Sequence, residues 1–440
     1  VPFFLVLSSF HLVQGSDHFP AESPSDESEL LIRDRRAVLY TTQWLWPKNE
    51  TIKYGFNETG NAQHDASERD WIREMISQVA EHFCIKIEEK SEGFRDVLIS
   101  RTPGCGAVTG WQGRNTTIDI SLGSGCHSSV HHEFLHTLGL GHTQRRNDRD
   151  KYITVPESVV NYNPQGFAKL YPEHELHLTP PVSYDFKSIM HYSAWYNGEI
   201  AMMPYDLDYL PTMGMRISPS FSDYKQLNML YKCGDHCPEY ATLKCENGGY
   251  PHPKVCGKCV CHDFAYGNRC EKLIIKKMSE DYPLIFERVT SNQNSIYANS
   301  SIRSDYNQIQ PLAFMAPFGR QLKVTIEDLV APKGVMTDNA HCSEECGFRA
   351  FEFIDNKDGD LTMGGKLFCC ASRKGEVFFT HSNILGFTGH VKKGHTGSIT
   401  FRVEVHEPRS NATHTNAPVP EWKFPDEHFA DNEPDVCEIV

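Results

Sequence analysis

Residues 132–142 read His-Glu-Phe-Leu-His-Thr-Leu-Gly-Leu-Gly-His, and this stretch decides the architecture predicted for the chain. On a helix, His132 and His136 are four residues apart, so both imidazoles project from one face. Gly139 tolerates the conformation of a sharp turn, which would bring His142 back towards that face. Three neutral imidazole nitrogens leave a zinc coordination position open, as is typical of a catalytic zinc site. The sequence therefore predicts one Zn2+ per chain, bound by His132, His136 and His142.

Glu133 directly follows the first of these histidines and is the predicted general base. Zinc lowers the pKa of a bound water to about 7. A neighbouring carboxylate can take that proton while the water attacks a peptide carbonyl, and can then pass it to the leaving amine. The competing interpretation is a surface helix with two exposed histidines, because His-Glu-x-x-His also occurs in unrelated helices. The extension through Gly139 to His142 argues against that interpretation.

The flanking residues predict one mixed domain of helices and strands. Apolar residues at helical spacing predict a first helix: Trp71, Ile72, Met75, Ile76, Val79, Ala80 and Phe83. Ser67 is its expected N-cap, with Asp70 in the place of a capping-box acid. Three short β-rich segments are predicted strands: 84–88, 97–100 and 117–122. A second helix is predicted over roughly 128–140, ending at a glycine.

Downstream, Ser188-Ile189-Met190-His191-Tyr192 accompanies the long zinc motif. This combination resembles the metzincins, whose Met-turn runs beneath the metal. Within that group the chain resembles the astacin family, because His142 is followed by Arg146 and by an Asp-Arg-Asp run at residues 148–150. The resemblance implies that Tyr192 is an extra zinc ligand in the resting enzyme and swings away to stabilise the transition-state oxyanion. A packed turn aromatic is the alternative interpretation of Tyr192.

The astacin resemblance implies a two-lobed α+β catalytic domain over residues 37–233, with a twisted sheet and helices around a cleft. It also implies that the strand at 117–122 is an edge strand that binds extended substrate by strand addition. Spacing alone allows three connectivities for the four cysteines of this region. The pairs implied by the resemblance are Cys84–Cys233 and Cys105–Cys126.

Two features depart from the astacin pattern. Thr143 stands where astacins carry a glutamate that contacts the new N-terminus after activation, and a threonine cannot form that ion pair. The segment before residue 37 lacks the family's Phe-x-Gly-Asp inhibitory motif. Three aspartates of that segment are alternative candidates for reaching the zinc: Asp17, Asp26 and Asp34. No cysteine precedes Cys84, which excludes a cysteine switch.

The N-terminal residues predict a secreted protein. Residues 1–15 begin with an apolar run too short to span a bilayer and are interpreted as a signal peptide, and residues 16–36 as an acidic propeptide. A paired-basic stretch at 33–36 fits a processing site, so the mature protein is expected to begin near Ala37. The 15 cysteines favour a disulfide framework. Five glycosylation sequons agree with secretion: Asn49, Asn57, Asn115, Asn299 and Asn411.

Two modules and a mobile tail, residues 408–440, are expected behind the catalytic domain. Residues 234–271 hold closely spaced cysteines and resemble an EGF-like module, which is too small to fold without its disulfides. The implied pairs are Cys237–Cys256, Cys245–Cys259 and Cys261–Cys270. The rival interpretation is a zinc site at Cys256-x-x-Cys259.

Residues 272–407 have strand-like alternation and resemble a CUB domain, an all-β sandwich. Cys342 and Cys346, with the Cys369-Cys370 pair, match the second disulfide of that domain, and the first is absent. Asp355-Asn356-Lys357-Asp358-Gly359-Asp360 suggests a calcium loop. Lys357 occupies a ligand position, so a solvated hairpin turn is favoured. Cys437 remains as a free or intermolecular cysteine.

Composition limits the remaining functions. A net charge of −14 argues against a nucleic-acid partner. No apolar stretch after the N-terminus is long enough for a membrane span. The sequence thus predicts a secreted zinc endopeptidase of extracellular proteins and peptides, with EGF-like and CUB-like modules available for protein partners. The alternatives are another metzincin, or a catalytically silent binding protein acting through those two modules.

Overall fold

The structure is a computed structural model of the 440-residue chain. It describes residues 37–38, 44–59, 63–123, 125–169, 175–176, 182–196, 198–277, 284–290, 306–330, 346, 349–356, 359–369, 373–392 and 397–406. The expected signal peptide, propeptide and tail lie outside these residues, as do the sequons at Asn299 and Asn411 and the cysteines Cys342, Cys370 and Cys437.

Up to residue 233, short strands alternate with helices. The strands are β1 (Ala37–Val38), β2 (Ile52–Phe56), β3 (Ile87–Glu89), β4 (Val97–Ser100), β5 (Cys105–Ala107), β6 (Ile118–Leu122), β7 (Ile153–Thr154), β8 (Glu175–Leu176), β9 (Trp195–Tyr196), β10 (Glu199–Ile200) and β11 (Met203–Pro204). The helices are α1 (Ala66–Glu81), α2 (Val130–Thr137), α3 (Glu157–Tyr162), α4 (Pro164–Phe167) and α5 (Phe221–Leu230). The mixture of helix and sheet predicted from the sequence is confirmed.

The main sheet of this region has five strands in the order β3-β2-β4-β6-β5, parallel except for antiparallel β5. The prediction that residues 117–122 form the edge strand is wrong. β6 pairs with β4 on one side, and on the other Ile120–Leu122 pair with β5. Residues 108–117 reverse the chain, so β5 pairs antiparallel with β6 on the side away from β4 and therefore lies at the edge of the sheet.

Helix α1 packs its apolar face, which includes Ile72, Met75, Ile76 and Val79, against the sheet and α2. Its predicted N-cap is wrong. Asp65 caps the helix by accepting from the Glu68 backbone N–H at 2.9 Å, and Glu68 Oε2 accepts from Asp65 N at 3.0 Å. Both candidate caps have suitable side chains, and the earlier one forms the reciprocal pair of a capping box.

Helix α2 is shorter than the predicted 128–140. A 3-10 turn, Cys126–Ser129, precedes it, and every residue of α2 is buried. It ends because Gly139 adopts a φ of 105°, in the left-handed region that favours glycine. A separate apolar cluster follows in the chain and includes Phe167, Tyr184 and Met202. The disulfides Cys84–Cys233 and Cys105–Cys126 confirm the two implied pairs.

The cysteine-rich region after residue 233 forms two small antiparallel ladders. Its strands are β12 (Tyr250–Pro251), β13 (Cys259–Val260), β14 (Ala265–Tyr266) and β15 (Lys272–Leu273). Its disulfides confirm all three implied pairs: Cys237–Cys256, Cys245–Cys259 and Cys261–Cys270. Because Cys256 and Cys259 are disulfide-bonded, neither can supply a thiolate to zinc.

The remaining described strands form a sandwich. They are β16 (Ile275–Lys277), β17 (Leu284–Thr290), β18 (Tyr306–Met315), β19 (Gln321–Val330), β20 (Arg349–Ile354), β21 (Lys366–Phe368), β22 (Val377–Phe379), β23 (Ile384–Lys392) and β24 (Gly397–His406). The sheets run β16-β18-β23-β20-β21 and β17-β24-β19-β22. Both contribute to one apolar core, with Phe353 and Phe387 from the first and Val324 and Phe401 from the second.

Two expectations for the sandwich can be compared with the structure. Cys346 pairs with Cys369, which is one of the pairings that the sequence left open for these cysteines. The segment after β20 does connect the antiparallel strands β20 and β21. The prediction that this turn is solvated is wrong at Asp355, which is buried and accepts from both His381 N and His381 Nδ1. None of the helices in the described ranges has the length and apolar character needed to cross a bilayer.

Candidate metal centre

Helix α2 and the turn after it bring three histidines to one point. The Nε2 atoms of His132, His136 and His142 lie 3.0, 2.9 and 3.2 Å from one another. Zn–N bonds of about 2.0–2.1 Å in tetrahedral geometry place ligand nitrogens about 3.3 Å apart. The donor set therefore fits one zinc ion, and a small adjustment of the side chains would bring the separations to the ideal value.

The outer nitrogens of two of these histidines are already engaged. His132 Nδ1 donates to the Ile189 carbonyl and His136 Nδ1 donates to the Leu140 carbonyl, each at 2.7 Å. With the proton on Nδ1, the Nε2 lone pair of each ring points into the cluster, as metal binding requires. Burial lowers the pKa of His136 to about 4 and holds those of His132 and His142 well below their usual value, so all three rings are neutral near pH 7.

Glu133 directly follows His132 in helix α2 and is 5% exposed. Burial raises the pKa of its carboxyl group to about 7, and the nearby Arg216 guanidinium opposes that rise. A carboxyl group with such a pKa can both accept and release a proton near neutral pH, which is the property of a general acid–base group.

The Met-turn residues lie against the histidine cluster, as the sequence predicts. The rings of Tyr192 and His142 have centroids 4.3 Å apart, and Tyr192 N donates to Gln144 Oε1. Met190 is buried, and its carbonyl accepts from Thr143 N at 3.0 Å. The structure thus brings Tyr192 together with the three histidines.

Thr143 is buried directly behind the third histidine. Its hydroxyl donates to Ser188 Oγ at 2.9 Å, and Ser188 Oγ donates to Asp223 Oδ1 at 2.6 Å. This neutral hydroxyl chain begins at Thr143, the position where the astacin pattern has a glutamate. The carboxylate that ends the chain comes from helix α5, in Asp223.

The Arg146–Asp148 pair supports the loop after the third histidine. Arg146 Nε and Nη2 donate to the two carboxylate oxygens of Asp148 at 2.8 and 2.7 Å, and both side chains are buried. Arg146 Nη1 also donates to the carbonyls of Val182 and Ser183, each at 3.2 Å. These contacts join the loop to the segment that leads into the Met-turn.

Two groups near the histidines were missed from the sequence. Arg216 Nη1 donates to the carbonyls of Ile189 and His191 at 2.6 and 2.9 Å. Asp223 accepts from Ile189 N at 2.9 Å. The N-cap spacing of Ser220 and Asp223 is a sequence signal that could have located the second group, whereas no local pattern marks Arg216.

A second group of possible metal ligands occurs among the described residues: His236, Cys237 and Cys256. Because Cys237 and Cys256 form a disulfide, only the histidine keeps a free donor atom. The first group therefore remains as the candidate centre in the described part of the chain.

Comparison with known proteins gives one family and several relatives. Residues 38–232 match the model of the peptidase family "Astacin". Zinc metalloproteinase nas-27 of Caenorhabditis elegans is 29% identical over 77% of this chain and 78% of the relative. Zinc metalloproteinase nas-17 of the same organism is 28% identical over 77% and 73%. A third relative there, zinc metalloproteinase nas-25, is 31% identical over 54% of this chain and 60% of the relative.

Proposed function

Because the chain carries a zinc metalloendopeptidase domain of the astacin family over residues 38–232, we propose specific roles for five residues of its centre. His132, His136 and His142 bind the catalytic zinc, Glu133 is the general base, and Tyr192 stabilises the oxyanion. The observation that carries this proposal is the triangle of Nε2 atoms, with separations of 2.9–3.2 Å.

Zinc, when bound, would supply a Lewis acid and lower the pKa of a water molecule at the open position. The Glu133 carboxylate takes a proton from the attacking water and delivers it to the amine that leaves the scissile peptide bond. Burial destabilises the charged carboxylate, so this group takes up the proton more readily than a solvent-exposed glutamate does. The Tyr192 hydroxyl donates to the carbonyl oxygen as that oxygen gains negative charge.

The edge strand β5 is the proposed site for the backbone of an extended peptide. β5 pairs with β6 through one edge, and the sheet order leaves its other edge without a partner strand among the described residues. The segment after β5 contacts helix α2, because Gly110 N donates to the His136 carbonyl at 2.9 Å. A peptide added to β5 would therefore run beside the metal ligands.

The mechanism is tested with the purified, processed full chain on a casein-type substrate. Glu133→Gln is expected to abolish hydrolysis while the protein still retains zinc, since this carboxylate is not a ligand. The exposed helix residue Glu157 provides the matched control, and Glu157→Gln should leave turnover unchanged. Chelation should abolish wild-type activity and added zinc should restore it. Equal cleavage by wild type and Glu133→Gln would refute the assignment.

We further infer that the protein acts outside the cell on extracellular proteins, with EGF-like and CUB-like modules over residues 234–271 and 272–407. The paired cysteines support this location: in the described part of the chain, each cysteine is disulfide-bonded. Disulfides persist in oxidising compartments. Expression in a eukaryotic secretory cell should give protein in the medium with glycan on the exposed Asn49 or Asn115. Retention of all the protein, unglycosylated, within the cell would contradict the inference.

A further inference from the structure

We propose that the C-terminal sandwich positions the zinc centre. Its Glu352 side chain and Gly364–Gly365 backbone hold residues 185–189, and the Ile189 carbonyl of that segment orients His132. This inference rests on the proposed function in one respect, since it takes His132 to be a zinc ligand. It goes further in assigning a role in the peptidase reaction to residues of the sandwich, far from the zinc motif in sequence.

The first contact is an ion pair between the two parts. Lys187 Nζ donates to Glu352 Oε2 at 2.6 Å, and Gly365 N donates to Glu352 Oε1 at 2.7 Å. Glu352 is only 1% exposed, so its charge depends on these partners. Burial alone would lower the pKa of Lys187, but the neighbouring Glu352 carboxylate outweighs it and raises that pKa. Lys187 therefore stays charged and anchored to the sandwich.

The second contact is made by Asp185, two residues earlier. Asp185 Oδ1 accepts from the backbone N–H of Gly364, in the sandwich, and from that of Lys187, both at 2.9 Å. Its other oxygen accepts from Ser222 Oγ at 2.6 Å. The backbones approach very closely, since a Cβ on Gly364 would lie 2.1 Å from the Lys187 Cβ. Asp185 thus joins the sandwich to both the Met-turn segment and helix α5.

From helix α5 the contacts continue to the zinc ligand. Asp223, next to Ser222, accepts from Ser188 Oγ at 2.6 Å and from Ile189 N at 2.9 Å. The Ile189 carbonyl then accepts from His132 Nδ1 at 2.7 Å. The backbone N–H and the carbonyl of Ile189 are therefore both engaged, the N–H by Asp223 and the carbonyl by His132. Such outer partners fix the ring orientation and the metal affinity of a histidine.

Further contacts hold the sandwich against the same part of the peptidase domain. Thr212 Oγ1 donates to the Gly365 carbonyl at 2.9 Å. Lys366 Nζ and Arg373 Nη1 lie 2.9 and 2.8 Å from Asp206 and Asp208. These two partly exposed ion pairs and the Thr212 hydrogen bond join the sandwich to residues 206–212 of the peptidase domain. The sandwich has a fixed position from which it can hold Asp185 and Lys187.

The test uses the zinc-loaded full chain in variants that remove the ion pair. Lys187→Met leaves the Glu352 carboxylate buried without its cation, and Lys187→Met/Glu352→Gln removes both charges. The control is Lys374→Met, which breaks an exposed pair with Asp328 on the sandwich. Folding is checked by circular dichroism, and the measurements are the rate of zinc transfer to a chelator, kcat and KM. If Lys187→Met does not fold, Glu352→Gln, which keeps the side-chain shape, takes its place.

Lys187→Met should lose zinc about three- to ten-fold faster than wild type, less than the 10–100-fold change typical of a direct outer partner of a metal ligand. kcat should fall by a similar factor and KM should change little, because the substrate contacts are intact. The double variant should recover part of both losses, and Lys374→Met should match wild type.

Two results would overturn the inference. A folded Lys187→Met or Glu352→Gln protein with wild-type zinc release and kcat would show that the contact is only structural, while the proposed function stands. A His132→Ala chain that retains zinc and activity would instead remove the proposed ligand and this inference together.

Discussion

The buried pair between Arg146 and Asp148 allows a quantitative test of how the loop after His142 is held. Arg146→Met removes two charge-assisted hydrogen bonds to Asp148 and two bonds to the carbonyls of Val182 and Ser183. Arg146 is 1% exposed, so water cannot replace these donors. Breaking a buried pair by removing one partner costs about 3–5 kcal/mol, because the remaining charge is uncompensated. We expect a loss of that size in the free energy of unfolding.

The assay is urea unfolding of the zinc-saturated chain, followed by tryptophan fluorescence without reductant. With an m-value of about 3 kcal/mol/M, the midpoint should fall by about 1–1.7 M. Arg146→Met/Asp148→Leu should recover about 2 kcal/mol, because neither charge remains and only the two carbonyls lose a partner.

Arg114→Met is the control for this prediction. It breaks an exposed pair with Glu50 and should change stability by less than about 0.5 kcal/mol. Two results would refute the reasoning: a cost below about 1 kcal/mol for Arg146→Met, or a double variant no more stable than the single one. Either would mean that the pair does not hold the loop.

Three further predictions concern other parts of the structure. Gly139→Ala should destabilise the chain by about 1–2 kcal/mol, because alanine is strained at positive φ. The substitution should also weaken zinc binding by moving His142, and an unchanged zinc affinity in a competition titration would contradict this. Tyr192→Phe should lower kcat by about 100–1000-fold with little change in KM, because one oxyanion donor is lost. A raised KM with an unchanged kcat would instead indicate a binding role. The hydrogen bond to Asp355 raises the pKa of His381 in the folded state. The protonated pair therefore stabilises the folded state fully below the unfolded pKa of histidine. This stability is lost as the pH rises through the higher folded pKa. Thermal unfolding across that range should therefore show a wild-type decrease that His381→Gln lacks, and parallel curves would exclude the pair as its cause.

Features of the fold that depend on local spacing were predicted well. The four-residue interval between His132 and His136 fixes their common face on any helix, and Gly139 permits the turn to His142. Two disulfide pairings implied by the astacin resemblance and three implied by the EGF-like resemblance are confirmed. Errors arose where two local choices were equivalent, such as the N-cap at Asp65 instead of Ser67. They also arose where strand order mattered, as in the edge position of β5.

The sequence by itself determined which chemistry the centre is proposed to have, because the proposed ligands and base lie within eleven consecutive residues, 132–142. Only the tertiary structure decided what orients them. Ile189 lies 57 residues from His132, and Glu352 lies 165 residues from Lys187. Such pairs follow no helical or strand period, since they depend on how whole elements pack together. The zinc motif could therefore be read from the chain, whereas its support by Asp223 and by the sandwich required the folded molecule.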